Sequence, residues 1–358
     1  MGLEDEIKKI EDELKRTKYN KATQYHIGML KAKLARLTEQ TEKLKTGKKG
    51  KGFSVKKSGD ATILLVGFPS VGKSTLLTKL TNAESKIGDY DFTTLDIIPG
   101  VMKYNSAKIQ ILDIPGIIHG AAAGKGRGKE ILSVVRNADL IIILIDEEKQ
   151  LPVVEKELYN AGFRLNQEKP KVFVAKKHSG GIRIESTVKL TKIDEKMIKT
   201  VLNEYRIHNA DVVIREDISL DRFIDSLCTN RVYVPSIVVF NKIDMLDKKR
   251  MEEVRRRIDC IFISAKNGEN LETLKKVLWK KLNLIRIYMK KIREDPDLSE
   301  PLIMKKGSKI TDVAKRIHKE FAKNFKYARI WGSSKFPGQK VGMNYELKDK
   351  DIVELHVK

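Results

Sequence analysis

Short apolar runs alternate with longer amphipathic stretches along the middle of the chain, from about residue 60 to residue 282. The apolar runs are nearly continuous in Ile, Val and Leu, and they read ATILLVG, KIQILDI, LIIILID, SIVVFN and CIFIS. Such runs are typical of parallel strands that are covered on both faces. Strands that alternate with helical stretches predict an α/β fold, with a doubly wound and mostly parallel sheet.

The two ends of the chain have other patterns. Residues 3–45 predict a helical hairpin with one apolar seam, because apolar residues recur at helical spacing on both sides of a break near Tyr19–Asn20. The seam residues are Ile7, Ile10, Leu14, Ile27, Leu30, Leu34 and Leu37. Roughly the last 75 residues predict strands around one helix, a small β-grasp-like domain. That helix would carry Ile310, Val313, Ala314, Ile317 and Phe321 on one face.

One interval within the α/β pattern is too long. From Glu147 to Pro235 there are 89 residues between two apparently adjacent strands, whereas a crossover unit needs about 30. The surplus predicts an inserted small α+β module. The resulting division has a hairpin with a basic linker, the α/β domain in two parts around the insertion, and a C-terminal domain. The hairpin and linker are residues 1–58, and the two parts of the α/β domain are 59–161 and 235–283. The inserted module is 162–234, and the C-terminal domain is 284–358.

Charge adds a class of partner to this picture. The chain holds 71 Lys and Arg against 48 Asp and Glu, a net charge of +23. That excess favours an acidic partner such as nucleic acid. The charged N-terminus, two cysteines without metal-ligand spacing and no apolar run of about 20 residues predict a soluble cytoplasmic protein without a membrane partner.

The stretch GFPSVGKS follows the first apolar run and precedes the helical run STLLTKLTNA. It matches the phosphate-binding pattern in the context that the pattern requires, between a strand and a helix. Backbone N–H groups would face the phosphates, Lys73 would reach the β- and γ-phosphates, and Ser74 would bind Mg²⁺. The predicted nucleotide-binding residues here are Gly67, Phe68, Pro69, Ser70, Val71, Gly72, Lys73, Ser74 and Thr75.

Two later motifs select the base. NKID, Asn241 to Asp244, follows the strand SIVVF. Asp244 would accept two N–H bonds from guanine, which adenine cannot supply. Asn241 would tie the loops together and Lys242 would cover the purine face. In SAK, Ser264 to Lys266, the Ala265 N–H would bind guanine O6.

The motifs DFTTL, residues 91–95, and DIPG, residues 113–116, lie in the sequence between the phosphate-binding motif and NKID. Asp113 would hold Mg²⁺ through a water, and the Gly116 N–H would sense the γ-phosphate. A threonine of DFTTL would bind Mg²⁺ when GTP is present, and we favour Thr94 over Thr93. Lys73, Thr94 and Gly116 are the predicted catalytic residues, and Ser74, Thr94 and Asp113 the predicted metal ligands.

The position after Gly116 bears on the rate. Many GTPases carry there a glutamine that orients the attacking water, but this chain has Ile117. His119 has either a catalytic or a surface role, and Arg127 is a candidate arginine finger in cis. We therefore expect slow intrinsic hydrolysis that needs a partner or an ion.

Together, these motifs and the insertion HSGGIRIESTV resemble the developmentally regulated GTP-binding proteins of the Obg-related GTPases, over the whole chain. The resemblance is to an archaeal-type member with a C-terminal TGS domain. It implies a P-loop GTPase with an inserted module, associated with ribosomes and translation and stabilised by a small regulatory protein. A monovalent cation such as K⁺ is a further candidate cofactor, although Ser70 stands where potassium-binding relatives carry asparagine.

Two hypotheses of different class follow. In the first, the protein is a Mg²⁺-dependent GTPase switch that docks on ribosomal RNA through its basic segments. These are residues 43–57 with seven lysines and no acid, 275–293 with eight basic residues and no acid, and 305–340 with eleven against two acids. In the second, the TGS domain is a sensor of a ligand or protein, and hydrolysis is incidental. An ATP-dependent kinase is disfavoured by NKID.

Overall fold

The protein is described by a computed structural model that covers residues 2–18, 20, 23–46, 59–81, 98–113 and 138–357. These residues form two compact units. The first lies within Met1–Phe53 and Gly162–Tyr233, and the second within Ser54–Ala161 and Val234–Lys358.

The secondary structure follows the predicted alternation. The helices are α1 (Leu3–Arg16), α2 (Gln24–Thr46), α3 (Lys73–Thr81), α4 (Gln150–Asn160), α5 (Glu195–Glu204), α6 (Leu220–Leu227), α7 (Lys248–Arg257), α8 (Leu271–Leu282), α9 (Ile310–Ile317) and α10 (Lys319–Lys323). The strands are β1 (Ala61–Gly67), β2 (Ile98–Tyr104), β3 (Ala107–Asp113), β4 (Leu140–Ile145), β5 (Phe163–Leu165), β6 (Val172–Lys176), β7 (Ile182–Ser186), β8 (Ala210–Ile214), β9 (Val232–Val234), β10 (Ser236–Phe240), β11 (Ile261–Phe262), β12 (Leu284–Met289), β13 (Leu302–Lys305), β14 (Phe325–Trp331), β15 (Gln339–Val341) and β16 (Asp351–Val357).

The central sheet of the second unit has the order β11-β10-β4-β1-β3-β2. Its pairs are parallel except for the edge pair of β2 with β3. Every residue of β1 and β4 is buried, as expected for strands covered on both faces. The predicted doubly wound, mostly parallel sheet is confirmed. Because its strands are parallel, the carboxyl ends of β1, β4, β10 and β11 share one edge, where α/β proteins bind ligands.

The C-terminal part of the second unit is a five-stranded sheet of order β13-β12-β16-β14-β15. Its strands pair antiparallel except for β12 with β16. The single predicted helix is divided, because the chain is extended at His318 between α9 and α10. Ile317, expected on the apolar face, is therefore 41% exposed at the end of α9. Leu284 and Ile303 belong to the same core as the α/β domain, so the two sheets share apolar contacts.

The first unit contains the hairpin and the inserted module. The predicted seam of the hairpin packs Ile10 against Leu30 and Leu37. The insertion is a three-stranded sheet of order β6-β8-β7 with α5 and α6. The other face of α2 joins the core of the insertion, where Ala32 is fully buried.

Polar contacts reinforce this unit. Tyr25 Oη donates to Asp194 Oδ2 at 2.6 Å, and Arg36 Nη2 donates to Glu204 Oε1 at 3.0 Å. The buried Asp225 carboxylate accepts hydrogen bonds from Arg164 Nη2 and Arg231 Nε, both at 2.7 Å. The sequence divided the hairpin from the insertion because they are about 120 residues apart, but α2 shares the apolar core of the insertion.

Candidate nucleotide-binding site

The phosphate-binding motif forms the turn between β1 and α3. Gly67 ends β1 against the neighbouring strand, where a Cβ would collide with the Leu144 carbonyl oxygen. Ser70 and Gly72 have positive φ values of 62° and 95°. The loop therefore bends back on itself, and the chain then enters the helix. Phe68, Pro69, Val71 and Thr75 complete the loop and the first turn of α3. The N-terminus of α3, which begins at Lys73, is an anion-binding position.

Lys73 lies folded over this loop. Its Nζ donates to the carbonyl oxygens of Gly67 at 3.0 Å and Phe68 at 2.8 Å. Burial lowers the pKa of Lys73, and the nearby Asp113 carboxylate acts in the opposite direction. A phosphate group placed on the loop would supply the negative charge that favours the ammonium form.

A pair of oxygen-bearing side chains lies beside the loop. Ser74 Oγ donates to Asp113 Oδ2 at 3.4 Å, a long hydrogen bond. Asp113 ends β3, is 4% exposed, and has no hydrogen-bond partner for Oδ1 among the described residues. Burial raises the pKa of Asp113, and Lys73 and Ser74 oppose that rise. A hydroxyl, a carboxylate and phosphate oxygens are the ligands that Mg²⁺ takes in nucleotide sites, so these residues fit that ion.

Other predictions for this end of the site cannot be placed. Thr94 and Gly116 lie outside the described residues, as do Ile117, His119 and Arg127. No group of three or more His, Cys, Asp and Glu side chains suited to a metal occurs in the part of the chain that the structure covers. For K⁺, neither the geometry of the described loop nor any comparison gives support.

The predicted base-binding residues meet at the ends of β10 and β11. Lys242 has a positive φ of 63° and starts the single turn Ile243–Met245 that carries Asp244. Asp244 Oδ1 accepts a hydrogen bond from Ser264 Oγ at 2.6 Å, and this bond lowers the pKa of Asp244. The exposed Asp244 is therefore held as a carboxylate, the form that can accept both N–H groups of guanine.

Asn241 connects the base loops to the phosphate loop. Its side chain is 3% exposed; Nδ2 donates to the Val71 carbonyl oxygen at 2.8 Å, and Oδ1 accepts from the Ala265 N–H at 2.9 Å. A Cβ at Gly72 would lie 2.5 Å from Asn241 Nδ2. The Ala265 N–H, predicted to bind guanine O6, thus donates to Asn241 here, and the exposed Lys266 follows it in the loop.

Asp146 is a site residue that the sequence reasoning missed. Lys242 Nζ donates to Asp146 Oδ2 at 2.5 Å, and Gln150 Nε2 donates to Asp146 Oδ1 at 2.6 Å. Asp146 therefore fixes the ammonium end of the side chain that was predicted to cover the purine. Its position was the available signal, because it directly follows β4 at the ligand-binding edge of the sheet.

Among the described residues, no helix is both long and apolar enough to cross a lipid bilayer. Three protein-family models match successive parts of the chain. Residues 62–177 match the family of 50S ribosome-binding GTPases, 179–284 the C-terminal region of that domain, and 285–357 the TGS domain.

Similar proteins match over almost their full length. A GTP-binding protein of Methanocaldococcus jannaschii is 56% identical over 100% of this chain and 94% of its own. The developmentally-regulated GTP-binding protein 2 of Homo sapiens is 46% identical over 99% of both chains. The solved YchF GTPase of Schizosaccharomyces pombe is 16% identical with a TM-score of 0.47, over 84% of this chain and 99% of its own. That likeness is too low to bear on the function.

Proposed function

Because this chain belongs to the developmentally regulated GTP-binding proteins, we propose that it is a Mg²⁺-dependent switch that hydrolyses GTP to GDP and phosphate. The observation that carries the proposal is the buried Asn241 side chain. Its bonds to Val71 and Ala265 join the phosphate loop to the loop of the guanine motif, at 2.8 and 2.9 Å. A phosphate-binding and a base-binding element are thus held as one site.

The residues of the site have separate tasks in this proposal. The backbone of residues 67–75 and the Lys73 ammonium bind the phosphates, and Asp244 recognises guanine. Ser74 and Asp113 hold the Mg²⁺, which neutralises charge that develops on the phosphates. Thr94 and Gly116 are the proposed sensors of the γ-phosphate, and their loops would order with GTP and release after hydrolysis. Slow intrinsic turnover follows from Ile117 in the position of a water-orienting glutamine.

Phosphate release with Mg²⁺ and GTP tests the chemistry. Lys73→Ala and Ser74→Ala should abolish turnover, whereas Lys79→Ala on the exposed side of α3 should not. Wild-type turnover by both site variants would refute the assignment of the loop.

The base is tested with Asp244→Asn, which should shift the preference from GTP to xanthosine triphosphate, because the amide donates where the carboxylate accepted.

We further propose that the switch acts on ribosomes, through contacts of its basic segments with ribosomal RNA. The charge excess supports this partner, as does the description of the matched family as ribosome-binding. We also propose that a small regulatory protein binds this chain and stabilises it, as the family resemblance implies. Sedimentation with ribosomes in a sucrose gradient tests it: co-sedimentation should be stronger with a non-hydrolysable GTP analogue than with GDP. Equal absence from the ribosomal fractions in both states would refute the ribosomal role.

A further inference from the structure

The sheet of the inserted module has one covered and one open face. In the register of β6 with β8 and of β7 with β8, paired residues lie on the same face. Val172, Val174, Ile182 and Ile184 join the buried Val212 and Ile214 in the core with α5 and α6. The alternate residues make up what we call the outer face: Phe173, Ala175, Arg183, Glu185, Asp211 and Val213.

Phe173 is the most prominent feature of the outer face. Its side chain is 66% exposed, although Phe173 lies within a strand of the sheet. Directly opposite it is Val213, a smaller apolar residue that is half-buried. The aromatic ring is therefore exposed on the outer face.

Lysine and arginine outnumber acids in the sequence around this ring. Residues 168–189 contain six Lys and Arg and two acids, Glu168 and Glu185. Lys171 and Lys177 continue the outward positions of β6, about 7 and 13 Å from Phe173 along the strand. Each of these cations has a carboxylate beside it: Lys171 Nζ lies 3.7 Å from Glu168 Oε2, Lys177 pairs with Asp211, and Arg183 Nη2 pairs with Glu185 Oε1 at 2.9 Å. Beyond β6, the exposed loop 177–181 includes Gly180 and Gly181, around which there is open space.

An aromatic ring flanked by cations is complementary to one kind of partner. Single-stranded RNA stacks its bases on aromatic side chains that project from open sheets, and its phosphates lie near Lys and Arg. A second copy of the chain is a poorer occupant, since each copy would bring the same excess of Lys and Arg to the interface. Duplex RNA would offer no unstacked base to the ring.

We propose that the outer face of the inserted module binds single-stranded RNA, with a base stacked on Phe173 and phosphates near Lys171, Lys177 and the loop 177–181. This inference rests on the proposed association with ribosomal RNA and names the part of the chain that reads an unpaired segment. It is separate from the nucleotide site, none of whose residues belongs to the insertion.

The test uses the full-length protein and a fluorescein-labelled 12-nucleotide RNA, either single-stranded or as a duplex, in a fluorescence anisotropy titration. The wild type should bind the single strand more tightly than the duplex. Phe173→Ala should weaken the single-strand affinity roughly five- to hundredfold, the loss typical of one stacked base. Phe173→Trp should restore it. Tyr159→Ala is the control, because Tyr159 is an aromatic residue that is 44% exposed on α4, outside both the insertion and the basic segments.

The phosphate contacts are tested in the same titration at several salt concentrations. Lys171→Ala with Lys177→Ala should reduce the slope of log affinity against log salt by about 0.7 per lost contact on a single strand. GTP turnover and the thermal midpoint should match the wild type in each variant, because the substituted side chains are exposed.

Three outcomes would overturn the inference. The inference fails if Phe173→Ala binds as well as the wild type, if Tyr159→Ala loses as much affinity, or if the wild type binds no RNA, which would leave an acidic protein as the occupant. Ribosome sedimentation separates these outcomes from the larger proposal. Retained sedimentation with unchanged RNA affinity in Phe173→Ala would remove this inference alone, whereas loss of sedimentation by the wild type would remove the ribosomal role.

Discussion

Replacing Asn241 by alanine should damage both the stability of the second unit and its affinity for GDP. The Asn241 amide is 3% exposed and bonds two backbone groups that belong to different loops. Alanine removes both bonds at once and offers no substitute. The Val71 carbonyl oxygen and the Ala265 N–H, in residues that are each 1% exposed, would remain with that bonding capacity unused.

The size of the effect follows from these two groups. A buried backbone group that loses its partner costs about 1–3 kcal/mol. Two such groups, with some relaxation around the smaller side chain, should reduce the free energy of unfolding by about 2–4 kcal/mol. In a domain of 150–250 residues each kcal/mol lowers the midpoint by about 2–4 °C, so the expected fall is roughly 4–16 °C.

Thermal unfolding with and without GDP measures this. The transition that GDP raises is the one that belongs to the nucleotide-binding unit. Asn241→Ala should lower the temperature of that transition and also weaken the binding of GDP, because the loops of the guanine motifs are no longer fixed relative to the phosphate loop. Asn267→Ala is the control, since Asn267 is exposed in the same loop and its amide bonds only the Glu269 side chain. If Asn241→Ala unfolded within about 1 °C of the wild type with an unchanged Kd for GDP, the two hydrogen bonds of the Asn241 side chain would contribute nothing to stability or to binding.

Three further substitutions have expected outcomes. Gly72→Ala should abolish GDP binding in a calorimetric titration, because its Cβ would meet the bridging amide at 2.5 Å, whereas Gly268→Ala, with φ of 80° but open space around it, should retain binding. Asp146→Asn should raise the Kd for GDP roughly two- to fivefold, the worth of a half-exposed ion pair; an unchanged Kd would mean that the lysine over the purine needs no anchor. Asp225→Ala should cost about 3–5 kcal/mol in urea unfolding, because it removes the carboxylate that the buried Arg164 and the partly buried Arg231 share. Asp221→Ala, at a half-exposed position on the same helix, should cost less than about 1 kcal/mol, and equal losses in the two variants would contradict the account.

The sequence by itself determined the elements and the chemistry that each one carries. The runs of Ile, Val and Leu specify buried parallel strands because only strands covered on both faces tolerate them, and β1 and β4 are buried throughout. The phosphate loop and the NKID loop are local patterns, each positioned by the strand it follows. Asp113 could be anticipated in the same way, since it ends β3 at the same edge of the sheet.

Only the tertiary structure decided which of these residues meet. The partners of Asn241 are 170 residues before it and 24 residues after it, and Asp146 is 96 residues from the lysine that it anchors. The hairpin and the insertion, which share an apolar core, are likewise about 120 residues apart in the sequence. Hydrophobic periodicity reports that a face is buried but not by which partner, because burial is non-directional. For the same reason, the periodicity of β6 identified a strand, and only its register with β8 placed Phe173 on the open face.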